Sequence, residues 1–157
     1  MKILSNKNNI VCTIISHTPY CISKDGTVVG LGSTVEEIDY LGTVFRKIYH
    51  CAPIYHYNPP KSYLKHKSKN IFFIPLKPAG GANFHKKLNH IILFPYNLRK
   101  IKLCLRDSDL IHFRAPTGIG ILFLPWIYLF WKKHVWIKYA GSWEDGSSPY
   151  TYKLQRW

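Results

Sequence analysis

Unbroken apolar runs and helix-period stripes alternate along this chain, and their order predicts an α/β domain. Residues 10–15 (IVCTII) are β-branched and continuous, the pattern of a central strand covered on both faces. Residues 16–31 (SHTPYCISKDGTVVGL) predict a long loop, with turn signals at Thr18-Pro19 and Asp25-Gly26. Val35, Ile38, Leu41, Phe45 and Ile48 then recur at helical spacing. Ser33 followed by Glu36 has the form of a capping box, and Glu36 and Glu37 suit the positive end of the helix dipole.

Residues 52–57 (APIYHY) and 71–76 (IFFIPL) predict the next two strands, separated by a basic loop over 58–68 whose double proline excludes regular structure. After a turn at 78–83, a helical stripe runs from Asn83 through Leu88, Ile91, Ile92, Leu98, Ile101 and Leu105. Pro95 is expected to kink or split it.

The stretch 109–143 organises the rest. Residues 110–113 read as a buried strand ended by Arg114, Ala115 and Pro116. Thr117, Gly118 and Gly120 open an apolar helix over 119–131, and Lys132 and Lys133 close it. A further strand over 135–139 stops at Ala140, Gly141 and Ser142. Strand, turn, helix and strand form one βαβ unit, and such units build parallel sheets. The summed order, β-α-β-loop-β-α-β-α-β, predicts a doubly wound, mostly parallel sheet with helices on both faces. The whole of 1–157 reads as one domain, with a core over 10–143, a loose basic end over 1–9 and a tail over 144–157 that ends in a short helix from Tyr152.

In open parallel sheets, ligands bind beyond the carboxyl ends of the strands. His17, His112, Arg114, Thr117, Gly118, Gly141 and Trp143 are expected on or near that edge. Arg114 is suited to hold a phosphate or a sugar hydroxyl there, or else to close the edge with an ion pair. His17 either faces the crevice or is a loop histidine without a role. For His112 the favoured reading is a core or sheet-face position. Gly30-Leu31-Gly32 is too little of a dinucleotide fingerprint to support a nicotinamide or flavin site, and fits a glycine-rich helix entry that admits a phosphate or sugar.

Charge changes the picture next. The chain carries 22 basic and 8 acidic residues, a formal net charge of +14, and no acid falls between Asp39 and Asp107. Such a one-signed field favours anionic partners, although a solvated lysine-rich face is the plain alternative. The four cysteines show no metal spacing, so no metal is expected, and a reducing cytoplasmic setting is the default. No signal peptide is expected. Neither a P-loop, a GxSxG elbow, an HExxH helix nor a paired-carboxylate dyad is present. The aromatics around Trp126, Trp131, Trp136 and Trp143 read as core, plus surface for a missing domain or a membrane to cover.

The strings IHFRAPTGIG, then WIKYAGSW, then YTYKLQRW resemble the amino-terminal domain of GT-B glycosyltransferases, closest to the subfamily 4-like group. The resemblance implies a Rossmann-like domain, one half of a GT-B fold, that binds the acceptor. It implies a carboxy-terminal half, or partner chain, that binds the nucleotide-sugar, with no cofactor held by this half. Carried over by position, His17, Gly30, Gly32, Arg114, Thr117, Gly118, Gly141, Ser142 and Trp143 would line the cleft or border a glycan or lipid-linked acceptor. The family's paired glutamates and its donor-diphosphate Lys/Arg have no counterpart here, so catalytic residues stay unassigned and this half alone is expected to be inactive. The expected location is the cytoplasm, with peripheral contact at the inner face of an anionic membrane. The alternative is a non-catalytic basic module that binds anionic lipid or nucleic acid, without a helix-turn-helix, RNA-recognition or finger signature.

Overall fold

The computed structural model describes residues 9–79 and 84–139. Within them an eight-stranded, mostly parallel sheet carries three helices. The expected loose end over 1–8, the turn residues 80–83, Gly141, Ser142, Trp143 and the tail over 144–157 lie outside the described residues.

Strand β1 (Val11–Ile15) is buried at every position, as its unbroken β-branched run requires. It sits between β4 (Lys47–Tyr55) and β7 (Leu110–Ala115), parallel to both. Beyond β4 lies β6 (Ile71–Leu76), and beyond β7 lies β8 (His134–Tyr139), again parallel. Taken in chain order, these parallel strands stand third, second, first, fourth and fifth across the sheet. The direction of winding therefore reverses between β1 and β7.

Side-chain alternation splits the core in two. Cys12 and Ile14 of β1 face one way and pack with Ile38 and Leu41 of α1 (Gly32–Gly42). Ile15 faces the other way and packs with Ile101 and Leu105 of α2 (Phe84–Arg106) and Phe123 and Ile127 of α3 (Gly120–Phe130). Helices thus cover both faces, as period-two strands and period-3.6 helices dictate. Pro95 stays inside one continuous α2, so that helix is not split.

Several expectations are corrected. The stretch 16–31 is not one loop. It contains β2 (Tyr20–Ile22) and β3 (Val28–Leu31), an antiparallel hairpin whose first strand extends along β4. Its turn is built by Asp25, whose carboxylate accepts bonds from Ser23 and from the Thr27 amide and hydroxyl, with Gly26 at φ +80°. That turn is the Asp-Gly signal doing what its chemistry favours. The loop over 58–68 likewise holds a two-residue strand, β5 (Tyr63–Leu64), paired with β3.

The first helix stops at Gly42, well short of Ile48. Asn70 explains the stop: its side-chain amide donates to the carbonyls of Gly42 and Phe45, both at 2.8 Å. Ile48 belongs to β4, which starts at Lys47 rather than at residue 52. The helical period ran on because Phe45 and Ile48 join the same apolar cluster as α1 from a turn and a strand.

The Ser33–Glu36 capping box does not form either. The helix begins at Gly32 with no side-chain cap, and the Gly32 amide is satisfied by the Ser62 carbonyl at 3.0 Å. A backbone acceptor from the neighbouring loop has replaced the side chain.

Candidate functional site at the carboxyl edge of the sheet

Winding reverses between β1 and β7, and the carboxyl edge at that point is where doubly wound sheets bind ligands. Strand β1 delivers Ser16 and His17 to it, and β7 delivers Arg114, then the cis Ala115–Pro116 bond, Thr117 and Gly118. On the α1 face of the same edge stand His50 of β4, His112 of β7 and Lys138 of β8.

Glu37 of α1 ties these strands together. Its Oε1 accepts from Arg114 Nη1 and from Lys138 Nζ, each at 2.7 Å. Burial alone would raise the Glu37 pKa, but the bonds from Arg114 and Lys138 prevail and hold it below the usual carboxylate value. Two cations thus share one carboxylate, which leaves a positive excess at the edge. The Arg114 guanidinium has five N–H donors, more than Glu37 uses.

Histidines surround this group. His50 is fully buried, with Nε2 3.1 Å from Ser16 Oγ. Beside it, Tyr20 OH lies 3.1 Å from His66 Nε2, and His66 Nδ1 lies 3.4 Å from an Asp39 carboxylate oxygen. His112 is also fully buried, 4.0 Å from the Trp136 ring between centroids. Neither of its ring nitrogens has a hydrogen-bond partner among the described residues. Burial pushes the His112 pKa down to about 4, and the positive charge of Arg114 adds to the fall. His50 is driven well below its ordinary value by burial, then by His66 and Arg114. His17 reaches solvent at this edge, yet crowding by protein atoms and Arg114 lower its pKa too. All three imidazoles are neutral at pH 7, so they can accept or donate a hydrogen bond to a hydroxyl without adding charge.

The other expected residues divide by what occupies them. Thr117 is buried and its Oγ1 accepts from the Gly120 amide at 2.9 Å, closing the first turn of α3. A side chain at Gly118 would meet the His90 imidazole, and one at Gly30 would meet the Tyr20 ring. At Gly32 a Cβ would lie 2.7 Å from the Ser62 carbonyl oxygen. These glycines therefore have a packing reason of their own; Gly30 lies within the second strand of the hairpin and Gly32 follows it, so neither directly follows β1.

Sequence reasoning did not single out Ser16, Glu37, His50 or Lys138 for this edge. Period-two alternation from Ile48 through His50 to Ala52 would have placed His50 on the α1 face, had β4 been started early enough. The Glu37–Arg114 pairing, 77 positions apart, left no local trace. No metal-ligating group of three or more His, Cys, Asp or Glu occurs among the described residues.

Compared with protein-family models, curated proteins and solved structures, the chain shows no match.

Proposed function

We propose that this chain is the acceptor-binding half of a GT-B glycosyltransferase, a Rossmann-like domain that presents a hydroxyl acceptor to a nucleotide-sugar. The donor-binding half comes from another domain or a partner chain. The observation that carries this reading is the Glu37–Arg114–Lys138 group at the carboxyl edge of the sheet, beside the point where winding reverses. A carboxylate beside a guanidinium and an ammonium offers acceptor and donor positions together, which is what sugar hydroxyls require. The neutral His17, exposed just past the end of β1, adds a group able to take up a hydroxyl proton. The acceptor is a glycan or a lipid-linked sugar, and this half holds no cofactor.

The test is to read the coding region beyond Trp157, co-express any donor-binding frame found there, and assay sugar transfer. Restored transfer that falls when Arg114 is replaced by Met supports the reading. Absence of transfer with every such frame, together with no saturable binding of glycans to the chain, overturns it.

A second reading rests on a different surface. The exposed end of α3 presents Tyr128, Leu129 and Phe130, with Lys132 following. Next to it a groove of about 480 Å3 is lined by Lys102, Arg106, Trp126, Phe130 and Trp131. Aromatic and aliphatic side chains rimmed by bases suit peripheral contact with an anionic membrane. Among the described residues, no helix is long and apolar enough to cross one.

A further inference from the structure

A second pocket opens on the carboxyl edge of the sheet, away from the Arg114 group. It measures about 370 Å3, lies where β4 and β6 end, and takes Tyr55, His56, Pro75, Lys77, Tyr96 and Lys100 into its wall. In the strand order, β4 and β1 stand between β6 and β7. We infer that this pocket binds a small molecule carrying a phosphate group, with the phosphate between Lys77 and Lys100 and the body of the ligand against Tyr55, Tyr96 and Pro75.

Charge is the first reason. Lys77 Nζ lies 4.4 Å and Lys100 Nζ 5.3 Å from the centre of the same Tyr96 ring. No carboxylate lines the pocket. Two ammonium groups held by one ring, with no carboxylate in the wall, make a locally positive field that favours an anion.

Preorganisation is the second reason. Asn97, which is 2% exposed, grips the end of β6: its Oδ1 accepts from the Lys77 amide at 2.9 Å and its Nδ2 donates to the Lys77 carbonyl at 3.1 Å. A buried amide satisfied on both sides fixes the backbone that carries Lys77. Lys100 Nζ donates to the Pro75 carbonyl at 3.0 Å, which anchors that ammonium at the pocket wall and leaves it further donors. Lysine binds phosphate as a compact point charge with several donors, and the two positive charges here match the charge of a phosphate monoester.

Shape is the third. The volume falls within the range of about 300–1,000 Å3 typical of small-molecule sites, and its wall is largely apolar and aromatic apart from the converging cations. This binding stands apart from sugar transfer: its failure would leave the Arg114 edge untouched, and loss of transfer would leave this pocket untouched.

The experiment is an amide NMR titration of the isotope-labelled chain at constant ionic strength, with inorganic phosphate, glucose 6-phosphate and glucose as probes. Saturable shifts at Lys77, Asn97 and Lys100 are expected. Glucose 6-phosphate should bind at least tenfold more tightly than glucose. Lys77→Gln leaves the Lys100–Pro75 bond in place and should weaken that binding at least tenfold, whereas Lys61→Gln on the exposed loop should leave it unchanged. Vesicles of phosphatidic acid against phosphatidylcholine tell the source of the phosphate. A response of these amides to phosphatidic acid without one to glucose 6-phosphate assigns a lipid headgroup, and the reverse assigns a soluble ligand. Non-saturating shifts spread over many lysines, or equal weakening by Lys61→Gln and Lys77→Gln, would overturn the inference.

Discussion

The two faces of the central strands differ in what they do with burial. On the α2/α3 face, Ile15, Ile111 and Phe113 meet Ile101, Phe123 and Ile127 in an apolar core. On the α1 face the same strands carry apolar Cys12, Ile14 and Ile48 and then polar His50, His112 and Arg114 farther along β4 and β7. One face stabilises the domain by removing hydrocarbon from water. The other gives up part of that gain to hold imidazoles and charges at an edge. Retaining buried polar groups in place of hydrocarbon costs stability unless they are paired, so the difference separates scaffold from candidate site within a single strand.

The sharpest way to break that contrast is to remove a ring from the apolar side. Phe123 is fully buried and its ring stacks near Phe113 and edges toward Phe94. Phe123→Ala should lower unfolding free energy by about 3–5 kcal/mol, read from the urea midpoint. A loss below about 1 kcal/mol would mean the α2/α3 face is not the scaffold.

The polar side should instead announce itself through pH. His112 has a folded pKa of about 4 against 6.5 in the open chain, so the unfolded state binds its proton first as pH falls. Its contribution is fully present above about pH 6.5 and is lost on going down toward pH 4. Between pH 7 and pH 5 the linked loss is about 2 kcal/mol. His112→Phe should abolish that part of the pH dependence and leave the part due to His50, as urea midpoints at the two pH values would show. An unchanged slope would place the His112 imidazole in water, not beneath Trp136.

How much of this was legible follows from the range of each signal. The run that became β1 stood out because a strand buried on both faces is apolar at nearly every position, and that of β6 because its apolar residues are continuous although the strand is only half-buried at the sheet edge. α2 and α3 were legible from period and length. The β2–β3 hairpin was not, since strands of three and four residues are too short to show a period. The end of α1 was hidden because Asn70, 28 positions downstream of Gly42, supplies the stop. Arg114 could be named from its place at the carboxyl end of a strand, although β7 runs through it to Ala115, but its partner Glu37 read as a helix-dipole residue until the sheet brought them together.

Glu37 is where the polar edge can be weakened without disturbing the apolar face. Replacing it with Gln leaves Arg114, at 12% side-chain exposure, and Lys138 without their shared carboxylate. The partly exposed setting screens the loss to about 1–2 kcal/mol at pH 7. Glu37 has a depressed pKa, so its stabilisation is present above the ordinary carboxylate pKa and is lost as pH falls through the folded value. Wild type and Glu37→Gln should therefore converge in urea midpoint at acid pH. A gap that persists there would trace the effect to packing in place of charge.

The smallest effect on stability is expected at the far end of α3, and that is what makes it informative. Tyr128 is 84% exposed and Phe130 66%, so neither buries much surface in the folded chain. Serine at 128, 129 and 130 should each move unfolding free energy by no more than about 0.5 kcal/mol. If this surface inserts into an anionic bilayer, the triple change should nonetheless abolish co-sedimentation with phosphatidylserine vesicles, because apolar insertion and basic attraction act together at an interface. Persistence of binding that merely weakens with salt would assign it to the general excess of +14. A large fall in stability would instead show that these rings belong to the same apolar scaffold as Phe123, and the contrast between the two faces would then extend along the whole of α3.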